Sequence, residues 1–127
     1  MNDIKAYIDR WIEIYNPDHT ELQYDRSETI RGALLAFGNL GVSIQWGAGT
    51  YSDNYDMSFE SKTWESYTAE AAIWYKGCGL GYYLNPIHSP IRTTRLLVLE
   101  DGDTVTNRSE PHEIEQMIIT CRDYARC

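Results

Sequence analysis

The clearest signal in this chain is a period of three to four near its start. Ile4, Tyr7, Ile8, Trp11, Ile12 and Tyr15 form one apolar stripe and predict an amphipathic helix from Asp3 to Tyr15. Asn2 or Asp3 can cap it by accepting from an unpaired N–H of the first turn. Asn16-Pro17-Asp18-His19 is a turn that stops it, and Thr20 to Tyr24 reads as a short strand. Ser27 then opens a second predicted helix, to Phe37, with Ile30, Leu34 and Phe37 on one side and Gly38-Asn39 as its stop. Gly32 inside it costs about 1 kcal/mol relative to alanine.

Period two follows. Val42, Ile44 and Trp46 alternate with Ser43 and Gln45, a half-buried strand that ends in Gly47-Ala48-Gly49. Tyr55, Met57 and Phe59 alternate with Asp56, Ser58 and Glu60 and predict a second strand pairing with the first. From Trp64 to Tyr75 the two periods compete. Trp64, Tyr67, Ala71 and Trp74 fit a helical face; Tyr67, Ala69, Ala71, Ile73 and Tyr75 fit a strand. The Ala-Glu-Ala-Ala run favours helix by propensity, so a helix is expected, capped by Ser61 or Thr63 and stopped by Gly77.

Gly77-Cys78-Gly79-Leu80-Gly81 is a turn, followed by an extended Tyr82-Tyr83-Leu84 and an irregular connection bracketed by Asn85-Pro86 and Ser89-Pro90. Thr93 to Leu99 is strand-like. Glu100-Asp101-Gly102-Asp103 is a hairpin signal after which Thr104 to Thr106 pairs back. Ser109 is the expected cap of a last helix, with Glu110 and Pro111 in its first turn and Ile114, Met117, Ile118, Cys121 and Tyr124 as its buried stripe. Without repeat, linker or low-complexity tract, residues 1–127 read as a single compact α+β domain, a small antiparallel sheet packed against three to four helices.

Composition narrows the class. With 127 residues, 43% hydrophobic and 24% charged, the chain is long enough for a real core and too apolar for disorder. No apolar run approaches the roughly 20 residues that span a bilayer. Met1-Asn2-Asp3 lacks the basic and apolar regions of a secretion signal. Cys78, Cys121 and Cys127, odd in number and widely spaced, do not make a disulfide framework. A cytoplasmic protein with reduced thiols is expected.

The formal charge is −8 and uneven. Acids crowd residues 1–28 and 100–115, whereas 71–99 carry only Lys76, Arg92 and Arg95. Such a chain is repelled by nucleic acid and by anionic membranes, so direct contact with either is not expected. The negative charge serves solubility, or it faces a protein partner with a basic surface.

Candidate chemistry is thin. Gly77-x-Gly79-x-Gly81 lacks the lysine of a phosphate loop and has no helix after it. His19, His88 and His112 lie far apart and no CxxC exists, so no metal site or cofactor is expected, a distant Cys78–His88 pair being the nearest approach to one. Cys78, flanked by glycines, is the sole nucleophile candidate, and carboxylate pairs such as Asp53 with Asp56 are too common to indicate acid–base work.

Recognition fits better. Ten of the sixteen aromatic residues lie between Trp46 and Tyr83. Within that stretch Tyr51, Asp53, Tyr55 and Asp56 combine rigid phenolic area with carboxylates able to meet arginine or lysine. Together with Glu60 and Glu65 they form the expected partner-binding set. In size, acidity and aromatic content the chain is similar to small phage inhibitors of bacterial defence and to toxin-neutralising immunity proteins, a likeness of class with no motif behind it. That likeness implies a non-enzymatic inhibitor of anti-CRISPR or anti-restriction type, docking on a basic surface of a nucleic-acid-handling complex. An immunity protein, or a small thiol enzyme using Cys78, is the alternative. Monomer and dimer both remain open.

Overall fold

The computed structural model describes residues 3–23, 30–47, 50, 52–53, 65–75 and 105–126. The first helix, α1 (Ile4–Tyr15), follows its stripe: Ile4, Ile8 and Trp11 are buried, and Tyr7, Ile12 and Tyr15 pack partly against the same core. Asp3 caps it, accepting from the Lys5 N–H at 3.3 Å. Asn16 ends it in the left-handed conformation (φ 48°), which a short polar side chain tolerates better than most.

Four strands then form one antiparallel sheet in the order of the chain: β1 (His19–Gln23), β2 (Ile30–Phe37), β3 (Leu40–Gly47) and β4 (Glu70–Tyr75). The last helix is α2 (Pro111–Tyr124). Pro111 sits where its missing N–H costs nothing, and the Glu113 carboxylate accepts from the Glu110 N–H at 3.0 Å. Ser109, expected as the cap, instead exchanges two backbone hydrogen bonds with Ala69, at 3.1 and 2.9 Å, and Glu110 takes the capping position.

The expectation of three to four helices is overturned: among the described residues there are two, of 12 and 14 residues, beside the four-stranded sheet. The segment expected to be helical from Ser27 to Phe37 holds β2. Ala33, Leu35 and Phe37 enter the core on one face while Ala36 is buried on the other. Burial on both faces erases the polar half of the alternation, and a short apolar run then fits either period. Gly38-Asn39, read as a helix stop, is the two-residue turn of the β2–β3 hairpin, with Phe37 opposite Leu40 and Gly38 at φ +54°.

The helix expected from Trp64 to Tyr75 is likewise replaced, by β4 over its second half. Ala69, Ala71 and Ile73 face the core, and Ala71 and Ile73 lie opposite Ile44 and Val42. Cross-strand packing overrides the helix propensity of alanine.

The core lies between one face of the sheet and the two helices. Leu40, Val42, Ile44 and Trp46 of β3 meet Ile4 and Ile8 of α1 and Ile114, Met117, Ile118 and Cys121 of α2. Beyond β4, Thr106 takes the place of a regular strand: its N–H donates to the Ala71 carbonyl (2.8 Å) and its hydroxyl accepts from the Ala71 N–H (3.0 Å). The strands expected at Tyr55–Phe59 and Thr93–Leu99, the Glu100–Asp103 hairpin, the Gly77–Gly81 turn, the extended Tyr82–Leu84 and the caps Ser61 and Thr63 lie outside the described residues.

Candidate functional site

Both helices begin at the same end of the molecule. The Ile4 N–H donates to the Ser66 carbonyl at 2.7 Å, and α2 starts just past the Ser109–Ala69 pair, so residues 65–69 lie between the two helix N-termini. Asp53 organises this segment. Its carboxylate accepts from the N–H groups of Tyr67 (3.2 Å) and Thr68 (3.3 Å) and from the Thr68 hydroxyl (2.8 Å). A buried polar knot fixes the approach to Asp53: the Thr50 hydroxyl donates to the Gly47 carbonyl at 2.7 Å and lies 2.8 Å from the Ser52 hydroxyl.

Held in this way, Tyr67 stands edge-on to Tyr7, ring centres 6.3 Å apart at 75°, and Tyr7 in turn contacts Trp11 at 5.9 Å. The three rings run from the core outward: Trp11 is buried, whereas Tyr67 is 37% exposed. The Tyr67 hydroxyl is pushed above the ordinary tyrosine range, first by partial loss of water and then by Tyr7 and Glu110 nearby. Its phenol therefore stays a neutral donor at physiological pH.

Glu110 is close enough to act on this phenol, and Glu65 precedes it by two residues. Glu65, Glu110 and Glu113 are all exposed. Glu110 lies 3.5 Å from the imidazole of His112, which is itself solvent-facing. Two cations at this end are engaged: Lys5 meets Asp9 at 3.3 Å, and the Arg108 guanidinium donates to the Ser52 carbonyl at 3.2 Å. Neutral phenols among carboxylates are suited to binding cationic groups, through charge-assisted hydrogen bonds and ring faces.

Two of the six expected partner-binding residues fall here, Asp53 and Glu65. They do different things. Asp53 spends its carboxylate on the backbone and hydroxyl of its own chain, while Glu65 faces solvent next to Tyr67. Tyr51, Tyr55, Asp56 and Glu60 lie outside the described residues, as do Cys78, His88 and Cys127. Tyr7, Tyr67, Glu110 and Glu113 were not in the expected set. The sequence places Tyr7 and Tyr67 on helical stripes, and no local pattern shows that they meet.

Cys121 is core, as its stripe implied, and burial pushes its thiol up to about 12, which leaves it unreactive. His19 is 3.3 Å from Glu21 on β1. Among the described residues no three His, Cys, Asp or Glu side chains converge as metal ligands, and no helix is long and apolar enough to cross a membrane. Compared with known proteins, the chain matches no family model, no curated protein and no solved structure.

Proposed function

We propose that this chain is a small non-enzymatic binding protein, active in the cytoplasm, that docks through the end where its helices begin onto a basic surface of a nucleic-acid-handling protein and inhibits it. The observation that carries the reading is Tyr67, partly exposed, braced by Tyr7 and by the Asp53 bonds beneath it, with Glu65 and Glu110 alongside. A rigid phenol loses little entropy on binding, and carboxylates around it select arginine- or lysine-bearing partners. The phage anti-defence type suits this chemistry, because nucleic-acid-handling complexes present the basic grooves that such an end would meet.

Capture from a bacterial lysate on immobilised protein, at low and then high salt, tests the reading. A partner retained at low salt, released by high salt and lost with Tyr67→Ala supports it. An identical set of captured proteins for wild type and Tyr67→Ala overturns it.

A further inference from the structure

The face of the sheet turned away from the helices carries a second feature. Glu21 of β1, Gly32 and Leu34 of β2, Ser43 and Gln45 of β3 and Trp74 of β4 line an open cavity of about 200 Å³. Strand register sets the arrangement: Glu21 lies opposite Leu34, Leu34 opposite Ser43, and Gly32 opposite Gln45. Gly32, opposite Gln45, contributes no side chain to the lining.

The Glu21, Ser43 and Gln45 side chains of this cavity can all accept hydrogen bonds. Ser43 and Gln45 are half-buried, and their side chains make no hydrogen bond among the described residues. The Glu21 carboxylate has His19 as its neighbour, at 3.3 Å, and is the one charged side chain among the described lining residues. Polar side chains held half-buried without an internal partner are satisfied by solvent or by a ligand.

We propose that this cavity receives one arginine side chain presented by a protein partner. Three properties select that occupant. Ligand pockets for whole small molecules run from about 300 to 1,000 Å³, so this volume suits a single side chain. A carboxylate in a protein of net charge −8 selects a cation. A planar guanidinium offers five donors in a flat fork to the Glu21, Ser43 and Gln45 oxygens; an ammonium offers three donors and a point charge. The inference stands apart from the docking end described above. The cavity is on the opposite face of the sheet from the helices, and either surface can bind without the other.

The test uses the whole chain and capped Gly-Arg-Gly, with its lysine and citrulline counterparts, followed through the assigned Trp74 indole and the Ser43 and Gln45 amide signals. The arginine peptide is expected to give saturable shifts at those three residues with a dissociation constant of roughly millimolar, the scale of one side chain. Glu21→Gln, which removes the charge without changing the shape, is expected to weaken it about tenfold. Gln45→Leu, an independent removal of an acceptor, is expected to weaken it several-fold. Absence of saturable shifts overturns the proposal, as do shifts centred elsewhere or unchanged binding in Glu21→Gln. Equal binding of lysine overturns the planar-guanidinium argument, and equal binding of citrulline overturns the charge argument.

Discussion

The two ends of the helix pair are both closed by backbone and side-chain bonds, yet they differ in charge and in what their aromatic side chains do. Where α1 and α2 finish, two backbone bonds and two bonds to side chains close the chain. The Asp18 N–H donates to the Ala36 carbonyl (2.8 Å), the Gly38 N–H to the Asp18 carboxylate (2.7 Å), and Asn39 and Arg126 exchange a reciprocal pair at 3.0 and 2.8 Å. Arg122 and Arg126 line a cleft of about 500 Å³ there with Tyr15 and Asp18. Where the helices begin, the Asp53 carboxylate is tied down beside three backbone bonds, Ile4 to Ser66 and the Ala69–Ser109 pair, and the acids Asp3, Asp53, Glu65, Glu110 and Glu113 outnumber Lys5 and Arg108. At α2 this follows from the helix dipole, which favours anions at the start (Glu113) and cations at the finish (Arg122); α1 has no acid in its first turn and no base in its last. Glu110 and Glu113 are thus accounted for by α2 alone. Capping does not require a braced phenol, however. Tyr124 at the finishing end is more exposed, at 57%, yet it is the last residue of its helix, whereas Tyr67 is held by Asp53 and Tyr7.

The largest effect on stability is expected at the finishing end, from Gly38→Val. Gly38 has φ +54°, and a Cβ there would run into the Arg126 carbonyl oxygen and lie 3.1 Å from the Ala125 Cβ. Backbone strain and collision together should cost on the order of 3 kcal/mol, read as a lowered urea midpoint. A loss below about 1 kcal/mol would mean that this end yields easily.

Asp53→Ala comes next. It strips an acceptor from two N–H groups and a hydroxyl at the beginning end and should cost about 2 kcal/mol. Hydrogen exchange at the Tyr67 and Thr68 amides should quicken while that of β3 stays protected. Any loss of partner binding in this variant would be indirect, through release of Tyr67.

What the sequence made legible, and what it hid, follows the same physics. Both described helices could be read because one face of each is apolar and the other polar. The Val42–Trp46 strand could be read because Ser43 and Gln45 interrupt it. The strands β2 and β4 were hidden by alanines and leucines buried on both faces, where a pattern of two and a pattern of 3.6 coincide. At the candidate site the sequence offers Asp53 to a partner, whereas its carboxylate is taken up by residues 67 and 68, which arrive from another part of the chain. The Tyr7–Tyr67 contact exists because α1 opens on the Ser66 carbonyl, a long-range bond with no local signature.

At the finishing end again, Tyr15→Phe should cost about 1 kcal/mol, because the Tyr15 hydroxyl donates to the Glu115 carboxylate at 2.7 Å. That bond raises the Tyr15 pKa above its ordinary 10.0, with burial and the Glu115 charge adding to it. The folded state therefore holds this proton more tightly than the unfolded chain does. The advantage of wild type over Tyr15→Phe should be complete below pH 10 and disappear as the pH rises past the raised value. An advantage that persists at more alkaline pH would show that packing, with Arg122 5.4 Å over the ring, is what matters at this position.

The smallest effect on the fold is expected at Glu65, and for that reason it separates the two explanations of the acidic end. Glu65 lies in the first turn of neither helix, and its side chain makes no hydrogen bond or ion pair among the described residues. If the acids gathered there serve only the helix starts, Glu65 has no task. Glu65→Lys should then change neither stability nor association. If the end docks on cations, the same substitution leaves the urea midpoint within about 0.5 kcal/mol of wild type and weakens partner binding at least tenfold at low salt, because a cation now opposes the partner's own. Asp123→Lys supplies the control. It reverses an exposed carboxylate at the finishing end, 3.2 Å from Arg122, and should leave that association intact. Equal losses from the two reversals would mean that the partner senses net charge and not this end of the molecule.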